Sequence, residues 1–420
     1  MTAVSLPDLA TGRPNAPDLP LPARLGWVES RHGRQLISGV VLLEVALVTG
    51  FAAVYRPFDL EIYIWGGRAV TSGSRLYLVL VQGNWFTYPP FAAVLFMPLA
   101  AGPALAARLA WELTSVAAFG WACVLTLRLA GYRPVRTTVL AIMAAGLLLE
   151  PVYHTLYQGQ VNLFLLALVL ADMWRIARGR PAGIGIGLAA AIKLIPGIFI
   201  ILLVLTGRIR DAVTSAAMFA CCALAGFAVD PVASRLYWTH LFFDTSRVAA
   251  AYISNQSPYG ALVRILGGVG HVGSWYYAIP CTLGALGLAL AARLARRADW
   301  LGATTVTGLT GLLVSPISWT HHWVWVMPAL VVLVRYAAYG AAACLSVLFA
   351  LAPLWWTPHS GPAGDYGAHG LVTAVANCFL FAGMGVIAYI CLRTWPPGQG
   401  LLRLLPRSAD SGDIPASDWT

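Results

Sequence analysis

The sequence predicts an all-α polytopic membrane protein, and three observations support that prediction. Hydrophobic residues make up 59% of the 420 positions, whereas only 10% are charged, far below the roughly 25% of soluble domains. The charges are confined to short islands between apolar runs of about 20 residues, the helix length that crosses the hydrocarbon of a bilayer. Because so apolar a chain cannot bury its surface in one aqueous core, these runs are expected to form the fold.

Ten apolar runs are predicted to be spanning helices, and two shorter segments are predicted to enter the bilayer without crossing it. Residues 91–101 are bounded by prolines and are expected to dip into the outer leaflet. Residues 183–206 are expected to form a re-entrant hairpin broken at Lys193 to Gly197. With these additions the bundle has about 10–13 transmembrane or re-entrant helices. The ten predicted crossings are 36–54, 104–130, 137–152, 161–174, 211–229, 272–292, 301–315, 323–334, 337–357 and 371–392.

The cations predict the orientation of the chain. All but one of the 27 cations are arginines, and they lie at the ends of apolar runs, which is typical of membrane topology and not of a nucleic-acid interface. Cytoplasmic segments are enriched in Arg and Lys, so both termini are predicted to be cytoplasmic in the plasma membrane. The loops at 55–90, 153–160, 230–271, 316–322 and 358–370 then face outward. Their arginines are Arg56, Arg68, Arg75, Arg235, Arg247 and Arg264.

The ends of the chain differ from its apolar middle. Residues 1–35 are polar and proline-rich and are predicted to be a disordered cytoplasmic tail, and residues 394–420 a second tail. The first apolar run is too long for a signal peptide and lacks a small-residue cleavage site. Residues 36–393 are therefore predicted to form one transmembrane domain. The seven cysteines lie in apolar segments without the spacing of metal ligands, so no metal site is expected.

Two carboxylates, Asp59 and Glu61, follow the first predicted crossing. A partly desolvated carboxylate at the membrane surface can accept a proton from a hydroxyl group that acts as a nucleophile. Solvated loop charges or helix caps explain the same spacing.

Adjacent His321 and His322 lie between tryptophans in the segment Ser315 to Trp325. Tryptophans are ordinary anchors at a membrane interface, but an imidazole at the same boundary can bind a phosphate, orient a hydroxyl group or transfer a proton. Two neighbouring histidines do not by themselves make a metal site.

Lys193 is the single lysine of the chain. An ionisable residue at membrane depth is energetically costly and indicates a function, such as pairing with a lipid phosphate. A buried ion pair with Glu44, Glu150 or Asp172 is the structural alternative.

Two polar segments could contact sugar hydroxyl groups. One is the predicted outer loop around Gln160 and Asn162, and the other contains Asn255 and Gln256, with Arg264 following as a cation in an apolar helix. Ordinary loop polar groups explain these residues equally well when each is taken singly.

Six segments together resemble the membrane glycosyltransferases of family 87, the actinobacterial polyprenol-phosphate-mannose-dependent α-(1-2)-mannosyltransferases with the GT-C fold. Their order and spacing match the family from about residue 36 to residue 325. The segments are Phe58 to Tyr63, Trp85 to Ala93, Gly159 to Asn162, Lys193 to Pro196, Asn255 to Ser257, and Ser315 to Trp325.

The resemblance implies an inverting transfer of mannose from polyprenyl-phosphate mannose to the 2-hydroxyl of a mannosyl residue on a phosphatidylinositol mannoside or lipomannan. It makes Asp59 the general base and His322 a residue that holds or activates the acceptor. No cofactor is expected, and the partners are the donor, a glycolipid acceptor and the bilayer. The predicted donor-phosphate ligands are Lys193, Arg264 and His321, and the predicted substrate contacts are Tyr88, Gln160, Asn162, Asn255 and Gln256.

Two alternatives remain open at this point. A transporter or lipid flippase also places polar residues and broken helices in a bundle, although no internal repeat relates two halves of the chain. A transferase of another polyprenyl-linked sugar fits the same residues.

Overall fold

The computed structural model describes residues 27–395 except for 74, 360–365, 367 and 368, and most of these residues are helical. Most of the two predicted tails lies outside the described residues, so the tails and the domain limits stay predictions. The first half of the described chain contains α1 (Arg31–Val54), α2 (Phe58–Ser72), the hairpin of β1 (Leu80–Val81) and β2 (Asn84–Trp85), α3 (Pro90–Ala101), α4 (Ala104–Leu129), α5 (Arg136–Leu147), α6 (Glu150–Gln158), α7 (Asn162–Ala177), α8 (Ile184–Ile192) and α9 (Ile198–Leu205).

The second half continues with helices of more varied length. A 3-10 segment, Thr320–Trp325, holds the two adjacent histidines, and another, Pro353–Trp356, follows α16. The helices are α10 (Ile209–Val229), α11 (Pro231–Thr239), α12 (Pro258–Leu266), α13 (Ala278–Arg296), α14 (Trp300–Val314), α15 (Val326–Arg335), α16 (Tyr339–Leu351), α17 (Leu371–Ala376) and α18 (Cys378–Thr394).

Four helices of the described chain are long and apolar enough to cross a bilayer. They are α1, α4, α10 and α13 with its preceding 3-10 turn, and the bent pair α5 and α6 would be a fifth. The outward surface of α1 is apolar, and Val54 is 88% exposed, as expected of a helix that contacts lipid. The prediction of an all-α polytopic membrane protein is confirmed, whereas the ten individual crossings stay predictions.

The chain bends by 76° between α5 and α6, which contradicts two expectations. The predicted crossing 137–152 is not one straight helix, and most of the predicted loop 153–160 is helical because α6 runs through it, whereas the outward orientation of that segment stays a prediction. Pro151 lacks a backbone N–H and fits only the first turn of a helix, so it ends one helix and starts the next. Gly159 then ends α6 in the left-handed conformation, with φ of 67°.

The first predicted outer loop, 55–90, contains a helix of 15 residues, α2. Residue Pro57 precedes α2, and Asp59 and Glu61 lie in its first turn, where carboxylates interact favourably with the helix dipole. The remaining part of the segment forms the short β1–β2 hairpin. The residues predicted to do chemistry thus begin a rigid helix and do not lie in a flexible loop.

The helix α14 lies at the centre of the bundle. Its residues from Leu301 to Leu313 are all buried. A Cβ atom on Gly308 would lie 2.2 Å from the ring of Trp325, so glycine is required for this close approach. The central helix therefore fixes the 3-10 segment that contains His321 and His322.

The predicted break at Lys193 is present. The helix α8 ends at Lys193, which has an extended backbone with φ of −149°, and a 3-10 turn over Ile195–Gly197 leads into α9. Pro196 in that turn cannot continue a regular helix. The break presents the lysine side chain at the end of a helix, and the re-entrant path through the membrane stays a prediction.

Candidate active site

Gly159 places the first turn of α2 against the segment that follows α6. A Cβ atom at this position would lie 2.6 Å from the Cβ atom of Leu60 and 3.0 Å from that of Pro57. The lack of a side chain and the positive φ both require glycine here. This close contact brings Asp59 next to Gln160.

Gln160 connects Asp59 to two tyrosines. Its Oε1 atom accepts hydrogen bonds from the hydroxyl groups of Tyr63 at 2.8 Å and Tyr88 at 3.0 Å. Its side chain also hydrogen-bonds Asp59, and because Oε1 already has two donors, the amide N–H is the group that faces the carboxylate. The two tyrosines thereby fix the orientation of the amide.

Burial is the main influence on the Asp59 carboxylate. It raises the pKa of Asp59 to about 6, against the opposing effects of the Gln160 hydrogen bond and of nearby Lys193 and His154. A carboxylate with this pKa is ionised at neutral pH and is a stronger base than an ordinary aspartate. Asp59 therefore has the protonation state and basicity of a general base.

Lys193 connects three of the predicted site residues. Its Nζ atom donates to Asn162 Oδ1 at 3.1 Å and lies 2.7 Å from His322 Nε2, and it lies 5.6 Å from the centre of the Tyr88 ring. Asn162 in turn donates to the backbone carbonyl of His321 at 2.9 Å. The lysine is thus held in place by residues from two distant parts of the chain.

The Lys193 ammonium group selects the state of His322. Burial and the ammonium charge keep the pKa of His322 well below its usual range. A neutral ring that accepts a hydrogen bond from the lysine Nζ at Nε2 carries its own proton on Nδ1. Within the described part of the chain, Nδ1 has no hydrogen-bond partner, which leaves this N–H available to a substrate.

The lysine cavity is a space of about 670 Å³ that has a polar end and apolar walls. Tyr88, Lys193 and His322 lie together at the polar end, and Arg247 and Asp244, 3.7 Å apart, also line the cavity. The Arg247 guanidinium lies 4.6 Å from the centre of the Trp85 ring and donates to the Tyr77 carbonyl at 2.7 Å. The apolar walls come from α9, α13 and α14 through Ile198, Ile201, Gly284, Ala285, Leu288 and Val314.

The aromatic cavity, of about 560 Å³, is a second space lined by a different set of residues. Phe58, immediately before Asp59, lines it, and so does His154, whose charge acts on Asp59. Lys193, the other charged neighbour of Asp59, lines the lysine cavity. The remaining residues around the aromatic cavity are Tyr55, Glu150, Tyr153, Tyr157, Gln158, Tyr252 and Trp355.

Comparison with known proteins identifies the family. Residues 86–316 match the model of glycosyltransferase family 87. The chain is also 32% identical over 361 residues to a polyprenol-phosphate-mannose-dependent alpha-(1-2)-phosphatidylinositol mannoside mannosyltransferase of Mycobacterium tuberculosis, an alignment that covers 79% of this chain and 84% of that protein. The chain belongs to glycosyltransferase family 87. The resemblance seen in the sequence is confirmed, and the transporter alternative is set aside.

Two further relatives have similar identity. A polyprenol-phosphate-mannose-dependent alpha-(1-2)-phosphatidylinositol pentamannoside mannosyltransferase of Mycobacterium tuberculosis is 33% identical over 330 residues, which are 74% of this chain and 76% of that protein. A phosphatidylinositol mannoside mannosyltransferase of Mycolicibacterium smegmatis is 34% identical over 337 residues, 72% of this chain and 76% of that protein. No solved structure matches the chain.

The structure brings together some of the predicted site residues of this family 87 protein and leaves others apart. Arg264 does not line either cavity; its guanidinium donates to the backbone carbonyls of Tyr252 at 3.0 Å and Asn255 at 2.9 Å and to the Asn377 side chain. It therefore holds the chain around residues 251–255 in place. The residues that meet at or next to the lysine cavity are Asp59, Tyr88, Gln160, Asn162, Lys193 and His322.

The amides of Asn255 and Gln256 are also engaged within the protein. Asn255 donates to the Pro316 carbonyl at 3.2 Å and accepts from the backbone N–H of Ser318 at 2.9 Å. Gln256 donates to the Ala376 carbonyl at 2.8 Å. The bonds of Asn255 fix the loop that precedes His321 and His322, and neither amide lines a cavity, so their contacts with a substrate stay a prediction.

His321 lies between the two cavities' histidines. Its ring centre is 5.4 Å from that of His154 and 4.8 Å from that of His322. Neither of its ring nitrogens has a hydrogen-bond partner among the residues that the structure describes. The ring is buried and lines neither cavity, so its contact with the donor phosphate stays a prediction.

Among the described residues, Lys193 forms no ion pair with Glu44, Glu150 or Asp172, the three carboxylates considered as its structural partners. Glu150 pairs with His154 at 2.7 Å, and Asp172 accepts from the backbone N–H of Ile186 at 2.8 Å. Sequence reasoning missed the Glu150–His154 pair and Arg247 as site residues. The spacing of four residues between Glu150 and His154 is the signal that could have revealed the pair, had α6 been predicted as a helix. In residues 27–395, apart from the gaps, no group of three or more His, Cys, Asp or Glu side chains could hold a metal ion.

Proposed function

We propose that this protein transfers mannose from polyprenyl-phosphate mannose to the 2-hydroxyl of a mannosyl residue on a phosphatidylinositol mannoside or lipomannan, at the outer face of the membrane. The observation that carries the proposal is the lysine cavity, in which Lys193 and His322 form the polar end of a space with apolar walls. The relatives' names supply the sugar, the donor and the acceptor class.

The shape and chemistry of the lysine cavity suit a lipid phosphate. Its walls are formed by α9, α14 and α13, a helix long and apolar enough to cross a bilayer, and they provide apolar contacts for a polyprenyl chain. The Lys193 ammonium group and the Arg247 guanidinium provide positive charge for the phosphate. A donor bound in this way directs its sugar toward Asp59, because Lys193 is an electrostatic neighbour of that carboxylate.

The chemistry is a single displacement with inversion at the anomeric carbon. Asp59 accepts the proton of the acceptor hydroxyl as the oxygen bonds to C1 of mannose. The bond between C1 and the phosphate oxygen breaks, and its electron pair leaves with polyprenyl phosphate. Lys193 stabilises the charge that develops on that leaving group, and the Nδ1–H group of His322 donates to a substrate oxygen.

Transfer of radiolabelled mannose tests this function. Membranes that contain the protein, supplied with polyprenyl-phosphate mannose and phosphatidylinositol mannosides, are expected to form a longer glycolipid with a new 1,2-linkage. Membranes that lack the protein provide the background. Failure to transfer mannose to any mannosylated acceptor, or transfer of another polyprenyl-linked sugar instead, would overturn the proposal.

Accessibility in intact cells tests the orientation. Tyr157→Cys, in a variant whose seven native cysteines are replaced by serine, is expected to react with a membrane-impermeant thiol reagent before lysis. Arg178→Cys, in the predicted cytoplasmic segment after α7, is the matched control and is expected to react only after lysis. The reverse pattern would move the site to the cytoplasmic face.

A further inference from the structure

We propose that the aromatic cavity is the binding site for the terminal sugars of the glycolipid acceptor, with Glu150 and His154 binding sugar hydroxyl groups. This inference rests on the proposed function and adds to it the place where the acceptor binds and the residues that select it. The cavity of about 560 Å³ lies within the range of roughly 300–1,000 Å³ typical of small-ligand sites.

The walls of the cavity are suited to sugar rings. Aromatic side chains from four parts of the chain surround it: α2 and the end of α1, α6, the loop before α12, and the 3-10 segment after α16. Rings that are anchored in this way offer flat apolar faces to the C–H groups of a hexose, and they need little side-chain ordering on binding. The aromatic residues are Tyr55, Phe58, Tyr153, Tyr157, Tyr252 and Trp355.

The floor of the cavity carries hydrogen-bonding groups that the protein does not use fully. Glu150 is 1% exposed, and its Oε1 atom accepts from His154 at 2.7 Å and from the Trp355 indole at 3.0 Å. Its buried Oε2 atom has no partner within the described chain. Buried polar atoms in proteins are almost always hydrogen-bonded, so this oxygen, in a residue that lines the cavity, is a ready acceptor for a sugar hydroxyl group.

The charges around the cavity favour a neutral ligand. Glu150 lines the aromatic cavity and no Lys or Arg does, whereas the lysine cavity is lined by two cations, Lys193 and Arg247, and one carboxylate, Asp244. A phosphate would face the Glu150 carboxylate without a permanent positive charge to balance it. The two cavities therefore sort the two substrates, with the anionic donor in one and the neutral acceptor sugars in the other.

The cavity is also continuous with the exposed apolar surface of α1. The rings of Tyr55 and Tyr157 stack at 5.1 Å, and Tyr157 stacks at 5.2 Å on Phe51. Phe51 lies on the outward side of α1, next to the exposed Leu47 and Val54. A glycolipid can therefore keep its acyl chains beside α1 while its sugars enter the cavity, which selects a membrane-anchored acceptor over a soluble sugar.

The position of the cavity places the acceptor next to the proposed base. Phe58 lines the cavity and Asp59 is the next residue of α2. The charge of His154 acts on Asp59, and His154 is also held by the Thr320 hydroxyl at 3.0 Å, directly before His321. A sugar hydroxyl bound by Glu150 and His154 can thus be directed toward the Asp59 carboxylate.

Steady-state kinetics of the full-length protein in lipid nanodiscs test the site. Trp355→Ala and Glu150→Gln are expected to raise the KM for phosphatidylinositol mannoside about tenfold, as for the loss of one good contact, while the KM for polyprenyl-phosphate mannose stays unchanged. Trp356→Ala is the matched control, because Trp356 is the next residue of the same segment, is 69% exposed and does not line the cavity. Tyr157→Phe keeps the ring and is expected to have the acceptor KM of the wild type. Tyr157→Ala removes the ring and is expected to raise the acceptor KM.

The kinetic outcomes separate this inference from the proposed function. If the wild type transfers mannose but Trp355→Ala and Tyr157→Ala leave the acceptor KM unchanged, the inference is wrong and the function stands. A rise in donor KM in these variants would assign the cavity to the donor and would also overturn it. Equal kcat/KM for a soluble mannoside and for the glycolipid would overturn the selection for a membrane-anchored acceptor.

A binding experiment tests the cavity without turnover. A phosphatidylinositol mannoside with a diazirine on its terminal mannose is expected to crosslink to the peptide that contains residues 150–158. Excess polyprenyl phosphate is expected to leave this labelling intact, since it occupies the other cavity. Labelling that polyprenyl phosphate abolishes, or that falls only on residues of the lysine cavity, would contradict the assignment even if the wild type transferred no mannose.

Discussion

The lysine cavity and the aromatic cavity differ in charge and in the elements that build them, although Asp59 has an electrostatic neighbour in each. The lysine cavity is lined by Lys193, Arg247 and Asp244 and by apolar residues of α9, α13 and α14, whereas the aromatic cavity is lined by aromatic rings and by Glu150, which pairs with His154. A transferase that joins two lipid-linked substrates must keep them in order. In the proposed assignment, the excess of cations in the lysine cavity and the lack of Lys or Arg in the aromatic cavity provide that order.

The largest effect is expected at the boundary between the cavities. Asp59→Asn removes the proton acceptor and is expected to lower kcat by roughly 10²–10⁴-fold, the usual contribution of a general base, with little change in either KM. Glu61→Gln is the matched control because Glu61 lies in the same turn of α2. The measurement is the initial rate of mannose transfer at equal amounts of folded protein. A fully active Asp59→Asn would show that Asp59 is not the general base.

The second effect concerns the lysine cavity alone. Lys193→Met is expected to lower kcat/KM for the donor by about 10²-fold, because a charge that stabilises the leaving phosphate is lost. Lys193→Arg keeps a cation and is expected to recover part of this loss. An increase in acceptor KM with an unchanged donor KM would exchange the roles of the two cavities.

The pH dependence reports on the base that both substrates approach. Because burial raises the pKa of Asp59 to about 6, the carboxylate takes up a proton as pH falls through that value and can no longer accept one from the acceptor. Transfer is expected to fall about tenfold per pH unit below pH 6. The residual activity of Asp59→Asn is expected to lack this dependence, and its persistence there would assign the titration to another group.

The smallest effect on catalysis, and the clearest on stability, is expected away from both cavities. Arg264→Lys removes hydrogen bonds to two backbone carbonyls, each worth roughly 1.5–3 kcal/mol for a charged donor. The temperature of half-inactivation is expected to fall, while the donor KM of the remaining active protein stays constant. Arg235→Lys, at an exposed position of α11, is the control. A raised donor KM at unchanged thermal stability would show instead that Arg264 binds the donor phosphate.

The sequence predicted the part of the site that depends on costly or unusual residues. A lysine at membrane depth, a carboxylate after the first crossing and two adjacent histidines are each energetically or statistically unusual in such a chain, and the structure brings Asp59, Lys193 and His322 together. The same holds for the apolar helices, whose lengths alone predict the fold class.

The rest could not be predicted because identical residue types serve different purposes. An amide such as Asn255 has the same appearance in a sequence whether it binds a sugar or a backbone carbonyl, and the choice depends on contacts more than 50 residues away, such as the one with Pro316. The rings of the aromatic cavity resemble the ordinary Tyr and Trp anchors of a membrane interface. Their convergence follows from the bend between α5 and α6, which apolar periodicity does not reveal.

Lys193 has a practical consequence that follows from its being the single lysine of the chain. Apart from the amino terminus, its Nζ atom is the only aliphatic amine of the chain that an acylating reagent can modify. The rate of that modification, followed by mass spectrometry of the intact protein, therefore measures how much of the lysine cavity is occupied. Screening of inhibitors then requires neither a radioactive sugar nor a purified acceptor, because a compound that fills the cavity protects the Lys193 amine from acylation.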